Sequence, residues 1–127
     1  MKIKLCGMFR DCDIDFANEA KPDYIGFILG FPKSHRNIDR ETAQRLRSRL
    51  SPEITAVGVF VNSSETTCAE YANCGIIDVI QLHGQEDADY IRRIRKLTDA
   101  PIIKAAKIRA PEDIALVQSL GADYVLL

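Results

Sequence analysis

Residues 55–84 read TAVGVFVNSSETTCAEYANCGIIDVIQLHG, and no other stretch says more about the fold. The stretch begins with an apolar, β-branched run, Thr55 to Val61, and closes on a second one, Val79 to Leu82. Between these runs, the pair Ser63-Ser64 can cap a helix and Gly75 can end it. A strand, a helix and a second strand in this order predict a right-handed parallel crossover rather than a hairpin.

The same alternation of strand and helix extends over the whole chain, with one βα unit every ~20 to 30 residues. The apolar runs that we predict as strands cover residues 3–6, 24–29, 55–61, 79–82, 102–106 and 124–127. Apolar residues at helical spacing lie between them, and the opposite faces of these helices carry the charged residues. Five βα units and a sixth strand predict a parallel α/β fold, but they fall short of the eight units of a closed (β/α)8 barrel. We expect residues 1–127 to form a single domain.

Composition bounds the classes of function. The chain has 127 residues, of which 46% are apolar, and its formal net charge is −1. A chain of this length and composition can therefore bury a core. It has no excess of basic residues, so nothing in its charge indicates nucleic acid as a partner. No apolar stretch approaches the ~20 residues needed to cross a bilayer, so we expect no membrane partner. The first residues do not resemble a secretion signal, which favours a cytoplasmic location.

The four cysteines do not form a metal-binding or disulfide pattern. Cys6, Cys12, Cys68 and Cys74 include no C-x-x-C pair, so we expect neither a metal site nor a structural disulfide. The last three are expected to act as small apolar residues in helices. Cys6 differs because it ends a strand and precedes Gly7, which allows a sharp backbone turn.

Four reactive side chains come at the ends of predicted strands or just beyond them: Cys6, Arg36, Asn62 and His83. The carboxyl ends of parallel strands meet at one edge of a sheet or barrel, so these residues suggest a shared mouth and an enzyme. A thiol such as that of Cys6 can serve as a base near neutral pH if cations or peptide dipoles lower its pKa from ~8.5. The alternative for Cys6 is a buried structural residue.

The other candidates each have a structural alternative. Arg36 has a planar guanidinium that fits a carboxylate or a phosphate, but it could instead cap a helix or form a surface salt bridge. Asn62 could contact a ligand or cap the following helix. Gln81 and His83 are two residues apart on a strand, so both side chains should point to the same side, the barrel interior. There they either line a wet mouth or satisfy core hydrogen bonds. Lys104, within an apolar strand, must reach the mouth or pair with a carboxylate.

Two further patterns have ordinary explanations. The arginines near residues 45–49 and 92–95 have acidic neighbours and follow helical spacing, so they indicate solvated helix faces rather than an anion-binding surface. The glycine-rich fingerprints of nucleotide-binding loops, G-x-G-x-x-G and G-x-x-x-x-G-K-[ST], are absent.

Five short motifs, taken together, resemble a known family. In chain order they are KLCG, GFILGFPKSHR, VGVFVN, QLHG and IIKA, and the similarity extends from Lys4 to Leu127. The chain resembles the phosphoribosylanthranilate isomerases of tryptophan biosynthesis, which are (β/α)8 barrels. The resemblance implies an α/β fold of the parallel (β/α)8 TIM-barrel type that is incomplete here, with residues 1–127 as the N-terminal part of the barrel. The resemblance implies a cofactor-independent aldose–ketose isomerisation, the Amadori rearrangement of N-(5-phosphoribosyl)anthranilate to 1-(2-carboxyphenylamino)-1-deoxyribulose 5-phosphate.

The resemblance also implies roles for particular residues. Cys6 matches the general base that removes the proton from ribose C2 after the ring opens, and Arg36 matches the loop arginine near the anthranilate. Gln81 and His83 match polar residues that line the same mouth. The substrate would be a phosphorylated sugar joined to anthranilate, with no metal.

The chain departs from the family pattern at its end and after Gly7. In the family an aspartate directly after the sixth strand is the general acid, whereas here the strand ends at Leu127 with no residue after it. The last two βα units, which commonly build the phosphate site in such barrels, are also missing. The loop Met8-Phe9-Arg10 stands where the family often has a small polar residue. Asp123 starts the sixth strand and therefore lies at the wrong end to be the acid.

These departures lead to an expectation about assembly and leave alternatives open. The first and sixth strands should have open edges, so we expect self-association through them, or else a longer parent protein. The chain on its own could then be inactive. The alternatives are an open doubly wound domain that binds a small ligand and a non-catalytic barrel fragment.

Overall fold

The computed structural model describes residues 1–127 as one sheet of six parallel strands with five helices between them. The strands are β1 (Lys4–Cys6), β2 (Tyr24–Gly30), β3 (Thr55–Phe60), β4 (Val79–Leu82), β5 (Ile102–Ala105) and β6 (Tyr124–Leu126). The helices are α1 (Asp11–Ala20), α2 (Arg40–Arg49), α3 (Glu65–Asn73), α4 (Ala88–Arg95) and α5 (Pro111–Gln118). Every predicted strand is present, and each end lies within one residue of its expected position.

The order of the strands distinguishes a barrel from a doubly wound sheet. The strands follow one another across the sheet in chain order from β1 to β6, and every neighbouring pair is parallel. A doubly wound sheet reverses its strand order at a switch point, so that alternative was wrong. The fold is a half-barrel of the TIM-barrel type. No helix is long and apolar enough to pass through a bilayer.

The two faces of the sheet have different surroundings. On the outer face, Phe27 and Phe60 are completely buried in a hydrophobic cluster that also contains residues of the helices. On the inner face, which lines the interior of a barrel, the register sets Val57 beside Gly26 of β2 and Val59 beside Gln81 of β4. Gln81 therefore faces the interior, as its alternation with His83 predicted.

Three expectations about single side chains were wrong or only partly right. Cys12 and Cys74 are exposed, so of the three helix cysteines only Cys68 is a buried residue. In α5, Val117 is buried but Ile114 is 42% exposed. The predicted apolar face of α5 is thus only partly covered, because the sheet extends no further than β6 beneath it.

The arginines of the helix surfaces pair with acidic side chains, as expected for solvated faces. Arg45 and Arg49 of α2 bind Asp11 and Asp15 of α1, and Arg93 binds Glu65 of α3. Exposed pairs of this kind contribute little to stability.

Aspartates at the amino end of the sheet join the strands in pairs. Each of them lies just before an even-numbered strand, and its carboxylate accepts a hydrogen bond of 2.8–2.9 Å from a backbone N–H at the start of the preceding strand. Its own N–H donates to the carbonyl of that same residue, at 2.8–3.0 Å. The three pairs are Asp23 with Ile3, Asp78 with Ala56 and Asp123 with Ile102. These reciprocal bonds fix the register of β1 with β2, β3 with β4 and β5 with β6.

The left-handed backbone before each of these aspartates follows from how the preceding helix ends. Lys21, Gly75 and Gly121 have φ values of 54°, 83° and 84°, and each reverses the chain after a helix. Gly75 thus has the helix-ending role that the sequence predicted. Asp123 lies at the amino end of β6, far from the carboxyl-terminal rim, which agrees with its exclusion as the acid.

Removing one of these aspartates should destabilise the fold more than removing a surface ion pair. Asp78 also binds Arg47 at 2.6 Å, so Asp78→Ala removes that pair and leaves the Ala56 N–H without its acceptor. We expect a loss of about 1–3 kcal/mol in the free energy of unfolding, measured by urea denaturation. The matched control is Asp15→Ala, which removes a comparable pair with Arg49 but no backbone bond, and it should change little. Equal losses in the two variants would contradict the role given to Asp78.

Candidate functional site

A tight turn after β1 places the thiol of Cys6 at the carboxyl end of the sheet. Gly7 has a φ of 80°, and the N–H groups of Gly7 and Met8 both donate to the carbonyl of Gly26, at 2.9 and 3.0 Å. The Cys6 side chain is exposed. The glycine after the thiol therefore has the function that the sequence predicted, because a non-glycine residue is strained at this φ.

Two glycines leave room for the reactive groups. A Cβ on Gly26 would lie 2.9 Å from Cys6 Sγ, so the thiol occupies the space left by the missing side chain. A Cβ on Gly7 would lie 2.8 Å from Cδ and 2.9 Å from Nη1 of Arg36, which means that the Arg36 side chain lies against Gly7. The structure thus brings Cys6 and Arg36 together at one rim.

The loop that supplies Arg36 is fixed at both ends. Asn37 Oδ1 accepts a hydrogen bond from Phe31 N–H at 2.8 Å, and the N–H of Ile38 donates to the carbonyl of Ile28 at 3.0 Å. His35 packs edge-on against Phe9, with ring centroids 6.0 Å apart, so this loop contacts the one that follows β1.

Neither structural alternative for Arg36 is realised. Asp39 caps helix α2 by accepting from Thr42 N–H, and Arg36 forms no ion pair with a carboxylate. Its exposed guanidinium is therefore available to an anionic ligand.

Gln81 and His83, which the sequence treats as a pair, have different surroundings. Gln81 is only 2% exposed, and its Oε1 accepts a hydrogen bond from the ammonium of Lys4 on β1. Burial lowers the pKa of Lys4, while the negative charge of a Cys6 thiolate opposes that shift. His83 is exposed and lines a cleft at the carboxyl ends of β4, β5 and β6. Gln81 thus forms a hydrogen bond in the interior, and His83 lies at the solvent-exposed edge of the sheet.

A buried carboxylate, Glu86, holds the ends of three strands in place. It accepts hydrogen bonds of 2.8 Å from the N–H groups of Asn62 and Gly84, and it pairs with Lys104 Nζ at 3.1 Å. Lys104 Nζ also donates to the carbonyl of Gly84 at 2.7 Å. Lys104 therefore pairs with a carboxylate, which was one of its two expected arrangements.

Asn62 does not cap helix α3, which was one of its two predicted alternatives, and instead contacts the loop after β4. Its φ is 52°, and its Oδ1 accepts a hydrogen bond of 2.7 Å from Gln85 N–H, so it holds the loop after β4. Ser64 caps helix α3 instead, by accepting from Thr67 N–H. A Cβ on Gly84 would lie 2.5 Å from Asn62 Oδ1, which explains the glycine there.

A cleft of about 750 Å³ opens at the carboxyl ends of β4, β5 and β6. Its lining includes His83, Lys107, Arg109 and Leu126, but neither Cys6 nor Arg36. Asp113 also lines it, but the carboxylate accepts hydrogen bonds from the N–H groups of Arg109 and Ala110. These bonds hold the pKa of Asp113 below its ordinary value, so this group is ionised at neutral pH and cannot donate a proton.

The rim as a whole is therefore cationic and has a thiol as its candidate base. No group of His, Cys, Asp and Glu side chains lies together in a way that could hold a metal ion. An arrangement of this kind can attract a phosphorylated or carboxylated ligand and can remove a proton from it.

Sequence reasoning missed two residues of this rim. Glu86 could have been found from Lys104, since a lysine in an apolar strand needs a carboxylate and Glu86 directly follows the predicted mouth of β4. Lys4 could have been found from its spacing, because residues two apart on a strand share a face and Cys6 was already a candidate.

The fold and this rim define a protein of the parallel β/α-barrel class, with its reactive side chains at the carboxyl ends of the strands. The family profile described as N-(5'phosphoribosyl)anthranilate (PRA) isomerase matches residues 3–125. The chain belongs to this family, and the resemblance seen in the sequence is confirmed.

Relatives and solved structures agree with this assignment. The N-(5'-phosphoribosyl)anthranilate isomerase of Lachnoclostridium phytofermentans is 43% identical over 126 residues, which are 99% of this chain and 57% of the relative. That of Endomicrobium trichonymphae is 44% identical over 125 residues, 98% of this chain and 60% of the relative. The crystal structure of phosphoribosyl anthranilate isomerase from Thermotoga maritima matches with a TM-score of 0.83 at 31% identity, over 94% of this chain and 57% of that one. The chain spans less than two thirds of the length of each of these relatives.

Breaking the buried pair at the rim should strongly destabilise the protein. Lys104→Met leaves the Glu86 carboxylate buried without its cation, so we expect a loss of about 3–5 kcal/mol in the free energy of unfolding, measured by urea denaturation. The double variant Lys104→Met/Glu86→Gln removes both charges and should recover part of that loss. Lys107→Met, at an exposed position of the same segment, serves as the control for loss of a lysine. A double variant no more stable than Lys104→Met would contradict this explanation.

Proposed function

We propose that the chain provides the base-containing part of a phosphoribosylanthranilate isomerase site. The single observation that supports this most strongly is that the Cys6 thiol lies against Gly26 while the Arg36 guanidinium, which has no carboxylate partner, lies against Gly7, the residue that follows the thiol. The reaction would be the Amadori rearrangement of N-(5-phosphoribosyl)anthranilate, without a cofactor. A solved relative, with a TM-score of 0.83 and 31% identity, is described as a complex with reduced 1-(o-carboxyphenylamino)-1-deoxyribulose 5-phosphate.

Each residue has a role that its surroundings permit. The Cys6 thiolate removes the proton from ribose C2 once the furanose ring has opened, and its exposed position lets substrate approach. Arg36 binds the anthranilate carboxylate, because its planar guanidinium has no carboxylate partner in the protein. His83 lines the mouth next to the substrate, and Gln81 acts from beneath through Lys4.

The reaction also needs a group that protonates the ring oxygen. Asp113 is the carboxylate in the cleft, and its hydrogen bonds keep it ionised. Asp123 lies at the opposite end of β6. We therefore infer that the acid of a complete site comes from outside residues 1–127, as the family pattern of an aspartate after the sixth strand implies. Without it, turnover by the chain on its own should be lower by about 10²–10⁴-fold.

A fluorescence assay tests this function. We expect slow decay of the anthranilate-adduct fluorescence in the presence of the 127-residue chain, and Cys6→Ser should lower the rate at least about 100-fold, because the base is lost. Cys12→Ser removes an exposed thiol on α1 and should leave the rate unchanged. Decay that persists in Cys6→Ser would contradict the proposed base. No decay with the unaltered chain would favour the alternative of a non-catalytic barrel fragment.

We also propose that the substrate is a small phosphorylated molecule and that the protein acts in the cytoplasm.

We further propose that two copies associate through the open edges of the sheet. β1 and β6 each pair on one side only. Tyr124 of β6 is 61% exposed, and Leu126 and Leu5 are also exposed, so the edges carry apolar side chains and unpaired backbone groups. If β6 of one copy pairs with β1 of the other, both open edges are covered in a parallel arrangement.

Light scattering coupled to size-exclusion chromatography tests this association. We expect a mass twice that of the 14.2 kDa chain at micromolar concentrations. Leu126→Lys places a charge on the open edge and should shift the protein to the monomer, since edge lysines oppose strand pairing. Leu116→Lys, at an exposed position of α5, should not do so. A monomer at every concentration would contradict the association.

A further inference from the structure

Two lysines extend from strands into buried surroundings, and only one of them has a carboxylate partner. Lys104 is 5% exposed and pairs with Glu86 at 3.1 Å, so its charge is neutralised. Lys4 is half-buried, and the partner of its ammonium is the neutral amide of Gln81. The positive charge of Lys4 is therefore fixed in place but not cancelled.

The uncancelled charge lies on the same face of β1 as the thiol. Lys4 and Cys6 are two residues apart on the strand and point to the same side. A Cβ on Gly26 would lie 2.9 Å from Cys6 Sγ and 3.3 Å from Lys4 Cε, so both side chains border the space beside this one glycine. Because residue 26 is glycine, no side chain at this position separates the Lys4 side chain from the Cys6 sulfur.

We propose that Lys4 is a positioning residue that keeps Cys6 in its thiolate form near neutral pH, and that Gln81 holds Lys4 in place for this purpose. The inference rests on the proposed function, in which the thiolate is the base. It assigns a role to two side chains that the reaction does not otherwise use. Gln81 would then act on the chemistry through Lys4 rather than by touching substrate.

The other charged and titratable groups around the thiol do not replace Lys4. Arg36 lies against Gly7 from the loop after β2, with His35 beside it, and Tyr24 is the β2 neighbour of Lys4. Arg36 is exposed, so solvent screens its charge, and it is also the group that binds the anionic ligand in the proposed function. His83 follows β4 and is exposed. Lys4 is the partly buried cation, and burial strengthens its effect on a neighbouring charge.

Coupling between two charges is reciprocal, which gives the sign of the expected change. The ammonium of Lys4 is positive and a thiolate at Cys6 is negative, and both side chains border Gly26 on one face of the sheet, so the positive charge favours the thiolate over the thiol. Replacing Lys4 by a neutral residue must move the conversion of Cys6 from thiol to thiolate to higher pH. A merely structural hydrogen bond between Lys4 and Gln81 makes no such prediction.

The test is the pH profile of Cys6 alkylation by iodoacetamide, resolved by peptide mass spectrometry and recorded without substrate. We expect Lys4→Met to raise the midpoint of the Cys6 profile by about one pH unit, so that the alkylation rate at pH values well below both midpoints falls about tenfold. Gln81→Glu keeps the side-chain shape but pairs Lys4 with a carboxylate, so it should also raise the midpoint. Lys4→Arg retains the positive charge and should stay close to the unaltered protein.

The chain contains its own controls for this experiment. Cys12, on α1, and Cys74, just after α3, are exposed thiols that do not lie on the sheet with Lys4, so their profiles should not move. Cys68 is buried beside Tyr90, and burial raises its pKa to about 11, so its labelling near neutral pH reports unfolding in any variant. Lys2→Met removes an exposed lysine bonded to Tyr24 at 3.4 Å and should leave the Cys6 midpoint unchanged.

The outcomes separate this inference from the proposed function. An unchanged Cys6 midpoint in folded Lys4→Met overturns the inference, whatever the activity of the protein. If Lys4→Met labels at Cys68 and is therefore unfolded, Gln81→Glu decides, and an unchanged midpoint there overturns the inference as well. An absence of isomerase turnover together with shifted midpoints would overturn the proposed function and leave the pairing of Lys4 with Cys6 intact.

Discussion

The carboxylate of Glu86 is the interaction on which the candidate site most depends. It accepts from the backbone of Asn62, which follows β3, and of Gly84, which follows β4, and it binds the ammonium of Lys104 in β5. A buried ion pair adds little net stability over apolar packing, because both charges lose their hydration. The ion pair and its hydrogen bonds instead fix the positions of the strand ends, because the Glu86 carboxylate bonds to all three of them. The ends of three strands therefore form one rigid edge.

The two ends of the sheet are held by different means. At the amino end, aspartates join β1 to β2, β3 to β4 and β5 to β6 by reciprocal backbone bonds. At the carboxyl end, Glu86 joins the middle strands, whereas the first two strands are joined near the thiol only by bonds to the carbonyl of Gly26. In β/α barrels the amino end serves stability and the carboxyl end serves chemistry. No ion pair involves the turn that carries the thiol, so backbone hydrogen bonds hold this part of the edge.

The fold could be predicted almost completely from the sequence because its elements depend on local patterns. The strand runs, the serine cap of α3 and the glycine that ends it are set by residues close in sequence, and the structure reproduces them. The site was harder, because its contacts join residues far apart. Gln81 could be placed on the inner face, but its bond to Lys4, 77 positions away, needs the curvature of the whole sheet. Asn62 shows the same limit, since its partner Gln85 belongs to the next βα unit.

The two lysines of the sheet differ in whether a carboxylate neutralises their charge, and this difference connects the structure to the proposed chemistry. The sheet has one lysine whose charge is cancelled, Lys104, and that lysine fixes the shape of the rim. It has another, Lys4, whose partner is neutral, and that lysine lies beside the thiol. A carboxylate in place of Gln81 would satisfy the ammonium more strongly, but it would also remove the positive potential from the neighbourhood of Cys6. A neutral acceptor holds the lysine and leaves its charge available, which is the arrangement that the proposed thiolate base requires.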